Sequence, residues 1–210
     1  MRALIATVRP AFMLVLLLTL LLGAGYPLLI TGAAQLAFSK RADGSLVEVG
    51  GQVVGSKLIG QQFSMPHYFW GRPSATTPPY NPAASGGSNL GMSNPLLGEQ
   101  MAARIALLKQ HHPADSQQRV PIDLITASAS GLDPHISLDA ALFQLPRVAK
   151  ARGMSHQELT ALIRLHERRG FATLFAAPYV HVLELNRELD AIKPMQPDIA
   201  EKKKQVKSGR

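Results

Sequence analysis

Cysteine is absent from this 210-residue sequence, and aromatic residues make up only 6% of it. The lack of cysteine excludes a disulfide-stapled secreted scaffold, thiolate zinc sites, iron–sulfur centres and a cysteine nucleophile. Charged residues are also few, at 17% against 46% hydrophobic residues, which is too apolar for a disordered chain. The length is enough for one domain of ordinary size with additions, rather than two large domains.

Negative charge is in deficit, with 14 Asp and Glu against 22 Lys and Arg, which leaves a net charge of +8. Such an excess indicates a nucleic-acid ligand only where it covers a folded domain. Residues 42–192 hold 12 basic and 12 acidic side chains and are formally neutral. The surplus lies in residues 193–210 and around one apolar segment, at Arg2, Arg9, Lys40 and Arg41. We therefore expect no nucleic-acid partner, a disordered tail over 193–210, and contacts between the flanking charges and the lipid bilayer.

No charged residue occurs over positions 10–39, a Leu-rich run of 30 residues. Roughly 20 apolar residues in a helix cross a bilayer, so this segment predicts one transmembrane helix with room for tilt. A cleaved signal peptide is the alternative, because Arg2 and Arg9 precede the Leu-rich stretch. The hydrophobic run continues to Phe38, and no A-x-A pattern follows the first Leu block, which favours an uncleaved anchor.

Two glycines of this segment, Gly25 and Gly32, lie among other small residues. A face of small residues lets a second membrane helix approach closely, although small residues are common in membrane helices in general. Pro27 removes one helical hydrogen bond and is expected to bend the segment. The flanking charges favour a cytoplasmic N-terminus, residues 1–9, only slightly.

The remaining body, residues 42–192, is predicted to be one α+β domain. Val- and Ile-rich stretches predict strands over 52–60, 120–126 and 178–185. Between them, 18 of the 25 residues over 71–95 are Gly, Pro, Ser, Thr or Asn, which predicts a long irregular loop. Loops of this length inside a compact domain are usually functional or disordered. The aromatic pair Phe69-Trp70 directly precedes the stretch 71–95, which favours an ordered binding loop.

Three helices are predicted from local start and stop signals. Asn94 followed by proline starts the first, which runs to about His111. The second covers 137–152, is bent or broken by Pro146 and is ended by glycine. The third starts at a Ser155-x-x-Glu capping box and continues to about residue 170.

Catalytic and metal-binding patterns are missing from the sequence. None of the seven histidines is spaced to share a metal ion with another, and no G-x-S-x-G nucleophile turn occurs. We therefore predict no metal site and no catalytic residue, although an unrelated membrane-anchored enzyme remains an alternative. The run Ser85, Gly86, Gly87, Ser88 and Asn89 has the composition of an anion-binding turn, but it lacks the G-K-[ST] ending of a P-loop. A tight loop with positive φ at glycine is the simpler interpretation.

Several blocks, in this order, carry a resemblance to a known family. They are GSKLIGQQF at 55–63, YFWGRPSAT at 68–76, YNPAASGGSNLGMSNP at 80–95, TASASGLDPHIS at 126–137, QLPRVAKARG at 144–153 and VLELNRELD at 182–190. Together they closely resemble the C subunit of the Kdp-type potassium-transporting ATPase, from the membrane helix to about residue 192. Met92 and the basic tail depart from the family pattern.

The resemblance implies a non-catalytic subunit of a bacterial ATP-driven potassium uptake pump. Its partners would be the potassium-translocating subunit, the P-type ATPase subunit and a small single-span subunit. The implied topology in the bacterial inner membrane places residues 1–9 in the cytoplasm and the domain 42–192 outside it. ATP, Mg and potassium would belong to the complex, and no cofactor is expected on this subunit itself.

Two functions are compatible with the resemblance. In the first, the domain assists assembly and caps the potassium entry side. The loops 71–95 and 126–137 would then be docking surfaces, with candidate residues Phe69, Gly71, Arg72, Pro73, Ser74, Asn94, Ser130, Gly131 and Asp133. Arg72 is expected to make a fixed hydrogen bond or ion pair. In the second, the subunit is a catalytic chaperone that raises the ATP affinity of the ATPase subunit through a direct contact at Ser85 to Asn89.

Overall fold

A computed structural model describes residues 2–111, 119–170 and 177–194. It contains one long apolar N-terminal helical segment followed by mixed α and β structure, which confirms the predicted fold class. The chain divides into two compact units, residues 1–56 and 57–210. The division falls after the first β-hairpin rather than directly after the helix.

The first unit begins with the apolar helix. Helix α1 (Arg2–Leu20) passes through a π-helical turn at Leu21–Gly25 into helix α2 (Tyr26–Ala42). By length and composition, the stretch Thr7–Ala42 is able to cross a membrane. The amide of Tyr26 donates to the carbonyl of Leu21 in this turn. The hydrogen-bond register of the helix therefore changes just before Pro27, a residue that has no N–H to donate.

An antiparallel hairpin completes this unit. Strand β1 (Leu46–Val49) pairs with β2 (Gln52–Ser56), with a bulge between Val47 and Glu48. The connecting residues Gly50 and Gly51 both have positive φ, 59° and 78°, as a two-residue turn of type I′ requires. The predicted strand over 52–60 is therefore found at 52–56, and β1 is an element that the composition did not reveal.

The second unit holds the remaining helices and a small sheet. Its helices are α3 (Pro95–His111), α4 (Ile122–Ile125), α5 (Leu138–Arg152), α6 (His156–Leu165) and α7 (Val182–Ile192). Strands β3 (His135–Ser137) and β4 (Tyr179–His181) pair antiparallel. Residues 71–94 are irregular, as predicted, apart from one 3₁₀ turn at Pro82–Ala84, and Pro95 begins α3.

The predicted helix signals act as expected where they are local. The side chain of Asn94 accepts a hydrogen bond from the amide of Leu96 at the start of α3. Ser155 and Glu158 form the reciprocal capping box of α6. Gly153 ends α5 in the left-handed conformation, with φ 58°. Helix α5 continues through Pro146, and α6 ends at Leu165, five residues earlier than predicted.

One strand prediction is wrong, and another is right only in its first half. The stretch 120–126 contains the short helix α4, whose Asp123 carboxylate accepts a hydrogen bond from the amide of Ser137 at 2.7 Å. The stretch 178–185 is a strand only to His181, because that side chain caps α7 by accepting from the amide of Glu184. Short apolar runs fit a strand and a buried helical turn equally well, so their sequence did not decide between the two.

The core of the second unit forms where α5, α6 and α7 pack with the β3–β4 pair. Its fully buried members include Ile136, Val148, Leu159, Ile163, Val180, Leu185 and Leu189. Phe69 joins this core from the irregular segment before the long loop, with none of its surface exposed. The long loop over 71–95 is therefore preceded by a residue that is buried in the core.

Candidate docking site

Two buried amides hold the segment that leads into the long loop. The Asn186 side chain on α7 accepts from the amide of Phe69 at 2.8 Å and donates to its carbonyl at 2.9 Å. The Gln144 side chain on α5 does the same with Trp70, at 2.8 and 3.0 Å. Each amide therefore replaces a strand partner, so that buried backbone groups are satisfied without a sheet.

A buried arginine of α5 adds a second layer of contacts. The Arg147 guanidinium donates to the carbonyls of Pro66 and Tyr68 and, at 2.7 Å, to Gln144. It also lies over the Trp70 ring, 4.1 Å from the ring centre. Burial lowers the pKa of Arg147 to about 10, so the side chain stays charged at neutral pH.

A second arginine, Arg152, ties the same segment to the end of α7. Its guanidinium is fully buried and donates to the carbonyls of His67 and Lys193 and to the carboxylate of Asp190, at 2.7, 3.0 and 2.8 Å. The other oxygen of Asp190 accepts from the Tyr68 hydroxyl at 2.9 Å. Burial, followed by this carboxylate, raises the pKa of Tyr68. The entry to the loop is thus fixed by five separate polar side chains.

An ion pair joins the long loop to the segment before β3. Arg72 lies 3.1 Å from the Asp133 carboxylate, in agreement with the fixed contact predicted for it. Asp133 also accepts from the backbone amide of His135 at 3.0 Å. Partial burial alone would raise the pKa of Asp133, but the hydrogen bonds from His135 and Arg72 hold it below its usual value.

Hydroxyl groups continue this junction. The Ser74 hydroxyl donates to the carbonyl of Gly131 at 2.7 Å and accepts from the amide of Tyr80 at 2.9 Å. The amide of Ser128 donates to the carbonyl of Pro73 at 3.2 Å. The Tyr80 hydroxyl donates to the carbonyl of Arg72, and burial followed by the charge of Asp133 raises the pKa of Tyr80 to about 12.

Close backbone approach explains three glycines of the site. A Cβ at Gly71 would lie 2.5 Å from the Tyr80 hydroxyl oxygen. A Cβ at Gly131, where φ is 68°, would lie 2.6 Å from a methyl group of Thr76. A Cβ at Gly87 would lie 2.9 Å from the Ala129 carbonyl oxygen. None of these atoms can be added without moving backbone or buried side chains.

The run from Ser85 to Asn89 does not have the geometry expected of it. The Ser85 hydroxyl and the Gly86 amide both donate to the carbonyl of Ser130, each at 2.9 Å. Positive φ occurs at Asn89, with 51°, and not at Gly86 or Gly87, so the prediction of left-handed glycines is wrong. The Gly86 amide is directed into the protein rather than toward a bound anion, while Ser88 and Asn89 are exposed.

The structure brings together most of the candidate docking residues. Arg72 pairs with Asp133, and Ser74 bonds to Gly131. Pro73 instead accepts from Ser128, Ser130 accepts from Ser85 and Gly86, and Gly71 packs against Tyr80. Phe69 is a correction, because its side chain is wholly in the core and is not available to a partner. Asn94 lies outside the junction as the cap of α3.

Sequence reasoning missed the residues that hold this junction in place, namely Gln144, Arg147, Arg152, Asn186 and Asp190. The detectable signal was a polar side chain on the apolar face of an amphipathic helix. Among the residues that the structure describes, no group of three or more His, Asp or Glu is arranged to hold a metal ion. The chain therefore combines one apolar helix long enough to cross a membrane with a small α+β unit whose loops are joined by polar contacts.

Comparison with known proteins gives the family. The sequence model of the protein family described as "K+-transporting ATPase, c chain" (KdpC) matches residues 8–191. This protein therefore belongs to that family. It is 53% identical to a potassium-transporting ATPase KdpC subunit of Yersinia pseudotuberculosis over 184 residues, which cover 87% of this chain and 92% of the relative. It is also 53% identical to the KdpC subunit of Herminiimonas arsenicoxydans, over 88% of this chain and 97% of the relative.

Proposed function

We propose that this chain is a non-catalytic subunit of a potassium-transporting P-type ATPase complex that assists assembly and stability of the pump. Family membership supports the place in a potassium pump. The observation that carries the assembly role is the loop junction around the Arg72–Asp133 pair, which is fixed to the core by buried side chains. A surface that is ordered before binding loses little conformational entropy when a partner docks on it.

The partners under this proposal are the potassium-translocating subunit, the P-type ATPase subunit and the small single-span subunit. The apolar segment anchors the chain in the inner membrane. The N-terminus lies in the cytoplasm, and the domain after the segment lies on the extracytoplasmic side, where it modulates the pump from the potassium entry side. ATP, Mg and potassium are bound by the other subunits.

The alternative is a catalytic chaperone that contacts ATP directly through Ser85 to Asn89. Two features oppose it. The Gly86 amide and the Ser85 hydroxyl are used by the carbonyl of Ser130. An extracytoplasmic domain is also separated by the membrane from the cytoplasmic ATP that a P-type pump hydrolyses. Any effect on ATP affinity would then pass through membrane contacts as a coupling free energy.

The absence of cysteine makes the topology directly testable. Ser88→Cys places a single thiol on an exposed loop position, and Ala3→Cys places one in residues 1–9. A membrane-impermeant maleimide should label Ser88→Cys in intact spheroplasts and Ala3→Cys only after permeabilisation. The opposite pattern would reject the extracytoplasmic placement and favour the nucleotide contact.

The assembly role is tested by recovery of the complex. Arg72→Ala removes the ion pair to Asp133 and should lower the amount of this subunit that purifies with the other pump subunits. Arg187→Ala, at an exposed position of α7, is the control and should leave recovery unchanged. Equal recovery of both variants and wild type would argue against docking through the loop junction.

A further inference from the structure

A cavity of about 420 Å³ lies beside the loop junction, between the loop residues Gly71 to Tyr80 and helix α3. Its volume falls in the range of sites that take a small organic group, and it is far too large for one water molecule. Phe63, Trp70 and Leu124 contribute apolar wall, and Arg72 and Arg104 contribute two guanidinium groups. No Asp or Glu is among the described residues that line it.

Arg104 on α3 is the less satisfied of the two cations. Its guanidinium donates to the carbonyl of Ile125 at 2.8 Å. Among the residues that the structure describes, no carboxylate pairs with it. Partial burial lowers the pKa of Arg104 below the ordinary value of an arginine. A partly buried guanidinium with one carbonyl partner keeps donors that an anion in the cavity is able to use.

Arg72 is paired but not saturated. One terminal nitrogen bonds to Asp133 at 3.1 Å, and the other lies 3.5 Å from the Ala127 carbonyl. Its Nε is buried and has no acceptor among the described residues. Buried donors without an acceptor are rare in native proteins, and each calls for an explanation. Arg72 therefore brings a second positive charge to the cavity, while its unused Nε donor is itself buried.

The mouth of the cavity favours a protein over a free ion. Leu107 lines the cavity and is 50% exposed. Ala103, one turn before Leu107 on α3, is exposed as well. An exposed apolar edge beside a charged cavity is covered when a second protein binds, whereas a free small anion would leave it in water.

We propose that this cavity receives an acidic side chain from another subunit of the pump, with its carboxylate bound by Arg104. The proposal rests on the proposed function, since it identifies the chemistry by which the loop junction meets its partner. A carboxylate supplies a counter-charge that no described residue gives Arg104, and the fork of the guanidinium fits its two oxygens. The apolar and aromatic walls then bury the methylene groups of the incoming side chain.

A zero-length crosslink tests the occupant in the intact pump. Arg104→Lys replaces the guanidinium with an amine, which a carbodiimide couples to a carboxylate in contact with it. In the complete complex, treatment should give a covalent adduct from residue 104 to an Asp or Glu of another subunit, identified by mass spectrometry. Arg187→Lys on exposed α7 is the matched control and should give no such adduct.

A second measurement uses the loss of charge. Arg104→Gln should raise the dissociation constant of this subunit from the detergent-solubilised complex about tenfold, as expected for one charge-assisted hydrogen bond. The difference in dissociation constant between Arg104→Gln and wild type should become smaller as the salt concentration is raised, because salt screens the ion pair in the wild-type complex. Arg187→Gln should leave the dissociation constant unchanged. Thermal unfolding of the free chain verifies that each variant is folded.

Three outcomes would overturn the proposal. One is an intact complex with no adduct at residue 104, and another is an adduct only to a carboxylate of the same chain. The third is stabilisation of the free wild-type chain, but not of Arg104→Gln, by sodium benzoate, together with no intersubunit adduct. That result would assign the cavity to a small carboxylate. In all three, co-purification of wild type would leave the proposed function standing, whereas loss of co-purification would reject the proposed function itself.

Discussion

At the scale of single residues, buried polar side chains hold the backbone segment that leads into the long loop. Asn186 and Gln144 each use both ends of one amide on successive residues of the same backbone segment. Arg147 and Arg152 bind the carbonyls that precede them. Because Asn186 and Gln144 are almost wholly buried and the carbonyls bound by the arginines are partly buried, removal of one side chain leaves backbone groups without their partner.

Arg147→Met should therefore be costly although it puts an apolar residue in the core. The carbonyls of Pro66 and Tyr68 lose a charged donor, and we expect a loss of about 3 kcal/mol or more in the free energy of unfolding. Trp70 is the only tryptophan and lies against this guanidinium, so its fluorescence during denaturant unfolding reports the change directly. Arg187→Met is the control, and a similar loss in both variants would contradict the assignment.

Gly131 and Gly86 form a matched pair for backbone strain. Gly131→Ala forces a side chain into φ 68° and toward the Thr76 methyl and the Gly86 carbonyl. The free energy of unfolding should fall by about 2 kcal/mol or more. Gly86→Ala meets nothing within 4 Å and should change it by less than about 0.5 kcal/mol. The measurement is chemical denaturation of the full chain in mild detergent, and equal effects would show that the loop relaxes.

The junction of β4 and α7 depends on one neutral histidine at the scale of elements. The Nε2 atom of His181 lies 2.9 Å from the carbonyl of Lys57, which assigns the proton to Nε2. Nδ1 is then free to accept from the amide of Glu184 and cap α7. A second proton would go on Nδ1 and would face that amide, so protonation removes the cap.

Stability should fall in mild acid for this reason. Burial lowers the pKa of His181, and His135 and Arg168 lower it further, against the opposite influence of the Lys57 carbonyl and Glu184. The unfolded chain therefore binds the proton more tightly, and stability rises with pH across the window below the ordinary histidine pKa of about 6.5. It is fully present above this pH and is lost as the pH falls through the window.

Unfolding midpoints measured from pH 7.5 to 5 check this expectation. His181→Gln keeps a side-chain acceptor without a titrating ring, and its midpoint should vary less over this range than that of wild type. His156→Gln, at the exposed start of α6, should keep the wild-type dependence. Identical pH profiles for wild type and His181→Gln would place the acid sensitivity elsewhere.

Element prediction succeeded where the signal was local and failed where it was not. The caps at Asn94 and Ser155 act within three residues of their own position, so their sequence is enough to predict them. The hydrogen bond that positions α4 joins Asp123 to Ser137, and the residue that starts α7 also reaches back to Lys57. A short apolar stretch contains no information about such distant partners.

At the scale of the whole molecule, the region that matches the family ends at residue 191, close to the last residues that make contacts with the folded domain. The match covers residues 8–191, yet the carbonyl of Lys193 accepts from buried Arg152, and its ammonium donates to the Gly153 carbonyl at 2.8 Å. The basic residues beyond the match are thus not all outside the fold. The role of the tail as a lipid contact stays a prediction, and most of residues 193–210 lie outside the described residues.

Two truncations separate these roles. Deletion of 193–210 removes the Lys193 carbonyl from a fully buried guanidinium and should lower the free energy of unfolding by about 1–3 kcal/mol. Deletion of 195–210 keeps Lys193 and should preserve the wild-type value, while binding to anionic vesicles falls in both. Denaturant unfolding and vesicle sedimentation measure the two effects. A large loss of stability in the shorter deletion would show that residues 195–210 contribute to the fold.

The sequence by itself determined the apolar helix long enough to cross a membrane, the starts of α3 and α6, the irregular loop and the placement of charge. These features depend on composition or on neighbours within a turn, and the ordered blocks of residues pointed to the family. Only the tertiary structure decided that Phe69 belongs to the core, that Gly87 and Gly131 are needed for close approach, and that Arg104 lines a cavity. The physical reason is sequence distance. Bonds such as Phe69 to Asn186 join residues 117 positions apart, and no local pattern encodes such a pairing.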